Sequence, residues 1–471
     1  MTFTSVQFLV FTSATLVLYR FCPLRFRAAL LLVASYLFYW TWSPLAAAGM
    51  AAATLLAFLA GKSVQGEDSP HRAKITATVV ICLLTAYLAF FKIAAVLPRF
   101  GRLALPLGLS YYTFKLMSYV MDIYWGKIER QRDLFAFAAY VAFFPQIVAG
   151  PIQRPGQFMD QLPPKKTAIS MGVPRIAWGL AKKVLIAGNL AAAIAYVFGN
   201  AGSLHTVEAL AALYLFPLYM YVDFSALTDI AIGVALLFGI ESPENFNRPF
   251  TASSISDYWR RWHMSLTTWL ADYVFTPLRM ATRSAGKAGL AFSITVNMVA
   301  IGLWHGVAWG YLVFGLIHAA ALIADSFTVR WRTRLFNANP RLDAWGKLFG
   351  VLITFHVVGV ALVFFRAPSV MEALALLRHI FLFSGSVNAE LAHLFAMAGA
   401  RAFLAGLVGL AVMELVERYR PDRWWARLEV ALPWWLRRLA ATTGTVLMLA
   451  GIFILLVRAE REATPFLYQI F

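Results

Sequence analysis

Apolar runs close to 20 residues long follow one another along almost the whole chain. A run of that length is what an α-helix needs to cross the hydrocarbon core of a bilayer. They fall at residues 4–19, 27–42, 44–61, 75–93, 103–121, 134–152, 184–199, 206–220, 224–240, 288–303, 306–324, 346–365, 400–416 and 438–457. This pattern predicts an all-α, polytopic membrane protein with roughly a dozen transmembrane or re-entrant helices. Composition agrees: 61% of residues are hydrophobic and 14% charged, where a soluble domain carries about a quarter charged residues. No internal repeat, low-complexity tract or linker divides the sequence, so residues 1–471 read as one integral membrane domain.

The charge balance is basic, with 41 Lys+Arg against 23 Asp+Glu. In a soluble chain that would suggest nucleic acid. Here the cations sit in short clusters between apolar runs: Arg20–Arg25–Arg27, Arg72–Lys74, Lys165–Lys166 and Lys182–Lys183. Such clusters set topology and meet anionic headgroups, so membrane lipids and not nucleic acid are the expected partner. With the N-terminus outside, Arg20–Arg27 and Lys62–Lys74 face the cytosol. Cys22 and Cys82 form neither a disulfide framework nor a metal spacing. The opening MTFTSVQFLVFTSATLVLYRF lacks a basic n-region and a cleavage site, and reads as a first membrane helix.

Polar residues inside apolar runs are costly and point to function or to structural pairing. In YMYVDFSALTDIAIG (219–233), Asp223 falls where a helix starts, and Asp229 is expected to pair with a cation from 260–263. Pro and Gly within LPLGLSYYTFKLMSYVMDIYWG (105–126) suggest broken or re-entrant backbone. Residues 241–287 form the longest polar–aromatic block. Ser253, Ser254, Ser256 and Asp257 supply helix-start chemistry. Trp259, Trp262, Leu266, Trp269, Leu270 and Tyr273 then recur at helical spacing, as in an amphipathic interfacial helix.

His305 and His318 lie in IGLWHGVAWGYLVFGLIHAA, and His356 lies in a similar apolar setting. Thirteen residues turn a helix by about 220°, so His305 and His318 need not share a face. His263, His305 and His318 lack the i, i+4 pair and the nearby thiolate of a metal site, so no metal is expected. There is no nucleophile elbow, P-loop or dinucleotide fingerprint. The residues by themselves leave a transporter and an intramembrane enzyme equally open.

Five stretches, in order, resemble the membrane-bound O-acyltransferase family, in its bacterial alginate O-acetylase and D-alanyl transfer branch. They are LPLGLSYYTFKLMSYVMDIYWG (105–126), FFPQIVAGPIQRPGQF (143–158), YMYVDFSALTDIAIG (219–233), NFNRPFTASSISDYWRRWHMSLTTWLADYVFTPL (245–278) and LWHGVAWGYLVFGLIHA (303–319). Together they cover most of 105–320, the family-like core. YWRRWHMSLTTWL with LWHG is the most specific pair, whereas residues 22–100 carry no diagnostic motif.

The resemblance implies a ring of helices around a central polar cavity, with a catalytic histidine near mid-membrane. That histidine maps onto His305, 42 residues after His263 in RRWHMSL. It implies acetyl-CoA as acyl donor from the cytosol, with no bound cofactor. It also implies an exported or cell-envelope polysaccharide as acceptor, a periplasmic or surface acetylase as partner, and the inner membrane as location. His263 would orient the acyl group or donate to the oxyanion, and Arg260 and Arg261 would either meet the donor's phosphates or anchor the segment at the membrane interface. Asp223, Asp229, Trp304 and His318 complete the candidate substrate-binding set. A D-alanyl group carried to a wall polymer is the alternative within the family. A transporter or flippase is the alternative outside it, and the paired half-helices and inverted repeats of such a protein are not evident.

Overall fold

A computed structural model describes residues 1–66, 69–97, 106–162, 167–337, 340–419 and 434–462. Lys165–Lys166, the start of the expected 103–121 span and the C-terminal residues 463–471 lie outside the described residues. The first four helices are α1 (Val6–Phe21), α2 (Arg27–Trp40), α3 (Pro44–Gly66) and α4 (Pro70–Ala94). α5 (Leu109–Tyr124) is one unbroken helix. The break expected within 105–126 falls before it, at Gly108, whose φ of +67° suits glycine. A Cβ there would meet the Ile147 carbonyl oxygen.

Residues 134–159 are broken into α6 (Leu134–Ala142), α7 (Phe144–Ile147) and α8 (Pro155–Met159). Next, α9 (Ile169–Ala181) and α10 (Gly188–Gly199) are joined through a π-helical turn at Lys182–Ala187. α11 (Thr206–Leu237) follows, a single helix of 32 residues. From sequence alone this stretch divides into two spans around Asp223, with Asp223 as a helix start. The helix runs through because α9 and the π-turn supply cations to its carboxylates. Lys183 Nζ lies 2.7 Å from Asp223 Oδ1, and Lys182 Nζ lies 2.5 Å from Asp229 Oδ2. Arg175 Nε also reaches Asp229 Oδ1, at 2.6 Å. Gly172 and Gly233 let these helices meet backbone to backbone: a Cβ on either would fall within 3 Å of the other's carbonyl oxygen. Small residues permit such packing between membrane helices. Lys182 and Lys183 are therefore buried partners of α11 and not headgroup anchors.

The chain then turns through α12 (Ile255–Trp259), α13 (Met264–Leu270) and, after a π-turn at Ala271–Phe275, α14 (Thr276–Ala281). The one amphipathic helix expected here is broken at His263. Its aromatic residues do not lie at a membrane interface: Trp259, Trp262, Trp269 and Tyr273 are all buried in the protein. α15 (Gly286–His305) and α16 (Trp309–Asn337) form a hairpin, followed by α17 (Pro340–Arg366), α18 (Val370–Phe381), α19 (Val387–Ala398), α20 (Ala400–Tyr419) and α21 (Trp434–Glu462). In the hairpin, Gly302 faces the Tyr311 carbonyl and Gly315 the Met298 carbonyl, too close in each case for a Cβ.

Among the described residues, seven helices are long and apolar enough to cross a membrane, or eight if the bent α19–α20 pair counts as one span. Three shorter apolar helices accompany them, Val6–Phe21, Leu134–Ile147 and Leu447–Ala459. The chain is thus an all-helical, polytopic membrane protein, and several of the short runs read as spans from sequence are pieces of broken or shorter helices.

Candidate active site

Residues 255–281 enter the helix assembly and leave it on the same side. Entering, the Ser256 amide donates to Asp325 of α16 at 3.1 Å. The Trp259 indole then reaches His318, two turns nearer the start of α16, at 3.3 Å. Leaving, Trp269 Nε1 donates to the Phe114 carbonyl near the start of α5 at 3.1 Å. Tyr273 Oη then donates to Asp122 near the end of α5 at 2.8 Å. His263 is the apex of this re-entrant hairpin.

The apex is a sharp turn because His263 adopts φ 44° and ψ 50°, a left-handed conformation that a small set of non-glycine residues, histidine included, tolerates. Its carbonyl accepts from the amides of Leu266 and Thr267, both at 3.0 Å. Asn245, fully buried, satisfies the next two amides, which a helix N-terminus leaves without intrahelical partners. Met264 N donates to Asn245 O at 2.9 Å and Ser265 N to Asn245 Oδ1 at 3.2 Å. The NFN segment therefore holds the turn that aims His263.

The His263 ring is buried, stacked on Phe224 of α11 at 4.8 Å and 5.7 Å from the Trp304 ring. Trp304 in turn lies 4.8 Å from the His305 ring, edge to face. His305 is the last residue of α15, whereas its motif in the sequence suggests the start of the following helix. Gly306, extended at φ 168° and ψ 171°, ends the helix there. A Cβ on Gly306 would lie 2.7 Å from the Tyr311 ring. His305 is partly accessible and is walled by Phe365 at 4.8 Å, Tyr311 at 6.2 Å and Phe314 at 6.3 Å. Lys92 of α4, buried, donates its ammonium to the Trp304 carbonyl.

The remaining candidates divide. His318 is fully buried beside Phe314, at 4.7 Å, and its Nδ1 accepts from Trp259. The proton of a neutral ring is then on Nε2. The Phe314 ring also lies 6.3 Å from that of His305. Asp229 does not pair with 260–263 but with Arg175 and Lys182, because α9 packs closest to α11. Arg261 is taken by Asp257 at 3.0 Å and by Thr251 at 3.2 Å. Arg260 is exposed, 3.4 Å from Asp257. His356 uses both nitrogens structurally, with the Leu352 carbonyl at 2.7 Å and Tyr214 Oη at 2.9 Å. Among the described residues no group of three His, Cys, Asp or Glu side chains could hold a metal.

Neither Lys92 nor Asn245 stands out in the sequence as a site residue. Lys92 stands in FFKIA near the end of an apolar run, where a lysine ordinarily marks the interface. Its inward turn leaves no local signal.

A buried histidine at a re-entrant apex and a partly accessible one at a helix end share one tryptophan. The sequence model of the membrane-bound O-acyltransferase family matches residues 127–365, which contain both. The chain belongs to the membrane-bound O-acyltransferase family. It is similar to the probable alginate O-acetylase of Pseudomonas aeruginosa, 32% identical over 447 residues, 89% of this chain and 80% of that protein. It is also similar to the Helicobacter pylori peptidoglycan O-acetyltransferase, 31% identical over 310 residues, 59% of this chain and 56% of that protein. The Bacillus subtilis teichoic acid D-alanyltransferase is 31% identical over 267 residues, 54% of this chain and 66% of that protein. This O-acyltransferase therefore carries its two histidines inside the matched region, and a transport-only reading is set aside.

Proposed function

We propose that this O-acyltransferase moves an acetyl group from cytosolic acetyl-CoA across the bacterial inner membrane for O-acetylation of an exported or cell-envelope polysaccharide. The observation that carries the reading is the pairing of His263 and His305 about Trp304. His305 is the general base. Its imidazole nitrogen takes the proton of an acceptor hydroxyl as that oxygen bonds to the thioester carbonyl carbon. The carbon–sulfur bond then breaks, and the thiol leaves with a proton. Neutral imidazole suits this task, and a positioned base contributes about 10²–10⁴ in rate. His263 orients the acyl group or meets the developing oxyanion.

The donor side follows from charge. Lys127, Arg283, Lys287, Arg330 and Arg334 lie at the α5 C-terminal, α15 N-terminal and α16 C-terminal ends, away from His305. By the positive-inside rule that side is cytosolic. Exposed Arg260, on the hairpin that enters from it, is a contact for donor phosphates. Acetyl is favoured over D-alanyl because the probable alginate O-acetylase of P. aeruginosa aligns with 89% of this chain, and the B. subtilis teichoic acid D-alanyltransferase with 54%. A periplasmic or surface acetylase partner completes the transfer.

The test offers purified protein in nanodiscs labelled acetyl-CoA or a D-alanyl thioester on a carrier protein. Release of CoA from acetyl-CoA alone supports the reading. Turnover confined to the D-alanyl thioester overturns the donor assignment.

A further inference from the structure

Lys92 is 7% exposed, in the last turn of α4. A lysine near the end of a membrane helix ordinarily extends its ammonium to the interface. This one turns into the protein. Its Nζ donates to the Trp304 carbonyl and lies 5.9 Å from the centre of the Trp304 ring. Among the described residues no carboxylate oxygen lies within 4.0 Å of it. A structural ion pair of the kind joining Lys182 to Asp229 therefore does not account for its burial.

The acceptor of its hydrogen bond sits at a particular place. α15 ends at His305, and the carbonyls of a helix's last turn have no intrahelical donors. They also form the negative end of the helix dipole, where a cation is favourable. Trp304 is the residue before His305. Beyond it the chain leaves the helix at Gly306, where a side chain would strike Tyr311. Lys92 thus caps, from a different helix, the turn from which His305 projects.

We propose that Lys92 is a positioning residue for His305, acting through the Trp304 carbonyl. The inference rests on the reading of His305 as general base. A base must sit about 2.6–3.2 Å from the hydroxyl it deprotonates, and a misplacement of about 1 Å costs on the order of 10² in rate. Removing the cap loosens the end of α15, so the loss falls on the chemical step and not on donor binding.

The experiment compares wild type, Lys92→Met, Lys92→Arg and His305→Ala as full-length protein in nanodiscs, with acetyl-CoA as the probe. Carbethoxylation of His305 by diethylpyrocarbonate, followed by mass spectrometry with His356 as internal reference, reports the imidazole's setting without any donor. The expected result for Lys92→Met is a fall in kcat of about tenfold or more, an unchanged KM and an altered carbethoxylation rate at His305. Lys92→Arg, which keeps donor and charge, recovers most of both.

Two results overturn the inference. One is a Lys92→Met protein that matches wild type in kcat and in carbethoxylation. The other is a raised KM with kcat intact, which would make Lys92 a contact for an anionic part of the donor. If His305→Ala retains turnover, the functional reading fails instead, and the carbethoxylation comparison still decides whether Lys92 sets the histidine.

Discussion

The His263 ring lies 5.7 Å from that of Trp304, the residue immediately before His305. Two histidines 42 residues apart in sequence are thereby brought to one indole, one from the apex of a re-entrant hairpin and one from the end of a helix. Each histidine thus stands against the same ring, His263 at 5.7 Å and His305 at 4.8 Å.

His263→Ala should lower turnover more than folded yield. The ring stacks on Phe224, so some stability is lost, but the turn itself is held by backbone bonds and by Asn245. Turnover per folded molecule, measured on monodisperse protein, is the check. Full activity in the variant would remove His263 from the site.

Asn245 should matter through that turn. In Asn245→Ala the Ser265 amide loses its side-chain acceptor, and a helix-start acceptor of this kind contributes about 1 kcal/mol. We expect a lowered melting temperature together with a lowered kcat. A melting temperature equal to wild type would show that the NFN segment does not hold the apex.

The ion pairs between α9 and α11 should govern folding. Asp229→Leu takes from buried Lys182 its direct ion-pair partner and leaves it the Ser225 hydroxyl at 2.8 Å. Breaking a buried pair from one side costs about 3–5 kcal/mol, whereas replacing both members by apolar residues is far milder. Thermal unfolding of Asp229→Leu and of the Asp229→Leu/Lys182→Met double variant tests this. Equal melting temperatures for the two would contradict it.

Much of this was legible in the sequence, and the failures share a cause. Apolar runs gave the all-helical membrane class because hydrocarbon leaves few alternatives to helix. Ser254 does start a helix, its hydroxyl accepting from the Asp257 amide at 3.1 Å. The LWHG and RRWHMSL motifs named His305 and His263, and both lie at the shared indole. The division of 206–240 failed because a carboxylate in an apolar run looks like a break until its lysine is seen on another helix. The amphipathic helix at 255–273 failed because helical spacing of tryptophans is the same whether the face meets lipid or protein. Lys92 is illegible in the sequence for the same reason: the carbonyl it caps is remote in sequence.

Donor binding should weaken with salt. Arg260 is exposed, and charges beyond about 10 Å are screened near 0.1 M ionic strength. KM for acetyl-CoA should rise between low and physiological salt, and less so in Arg260→Gln. A KM independent of salt in wild type would exclude a charged entry for the donor.

The most direct test is His305→Ala. A general base contributes about 10²–10⁴ in rate, and His305 is partly accessible at a helix end, so its loss need not disturb packing. The variant should insert and melt like wild type while acyl transfer per folded molecule falls by at least about a hundredfold. His318→Ala and His356→Ala, whose rings are bonded to Trp259 and to Tyr214, should be milder. Retention of more than about a tenth of wild-type activity in His305→Ala would contradict the account and place the chemistry elsewhere.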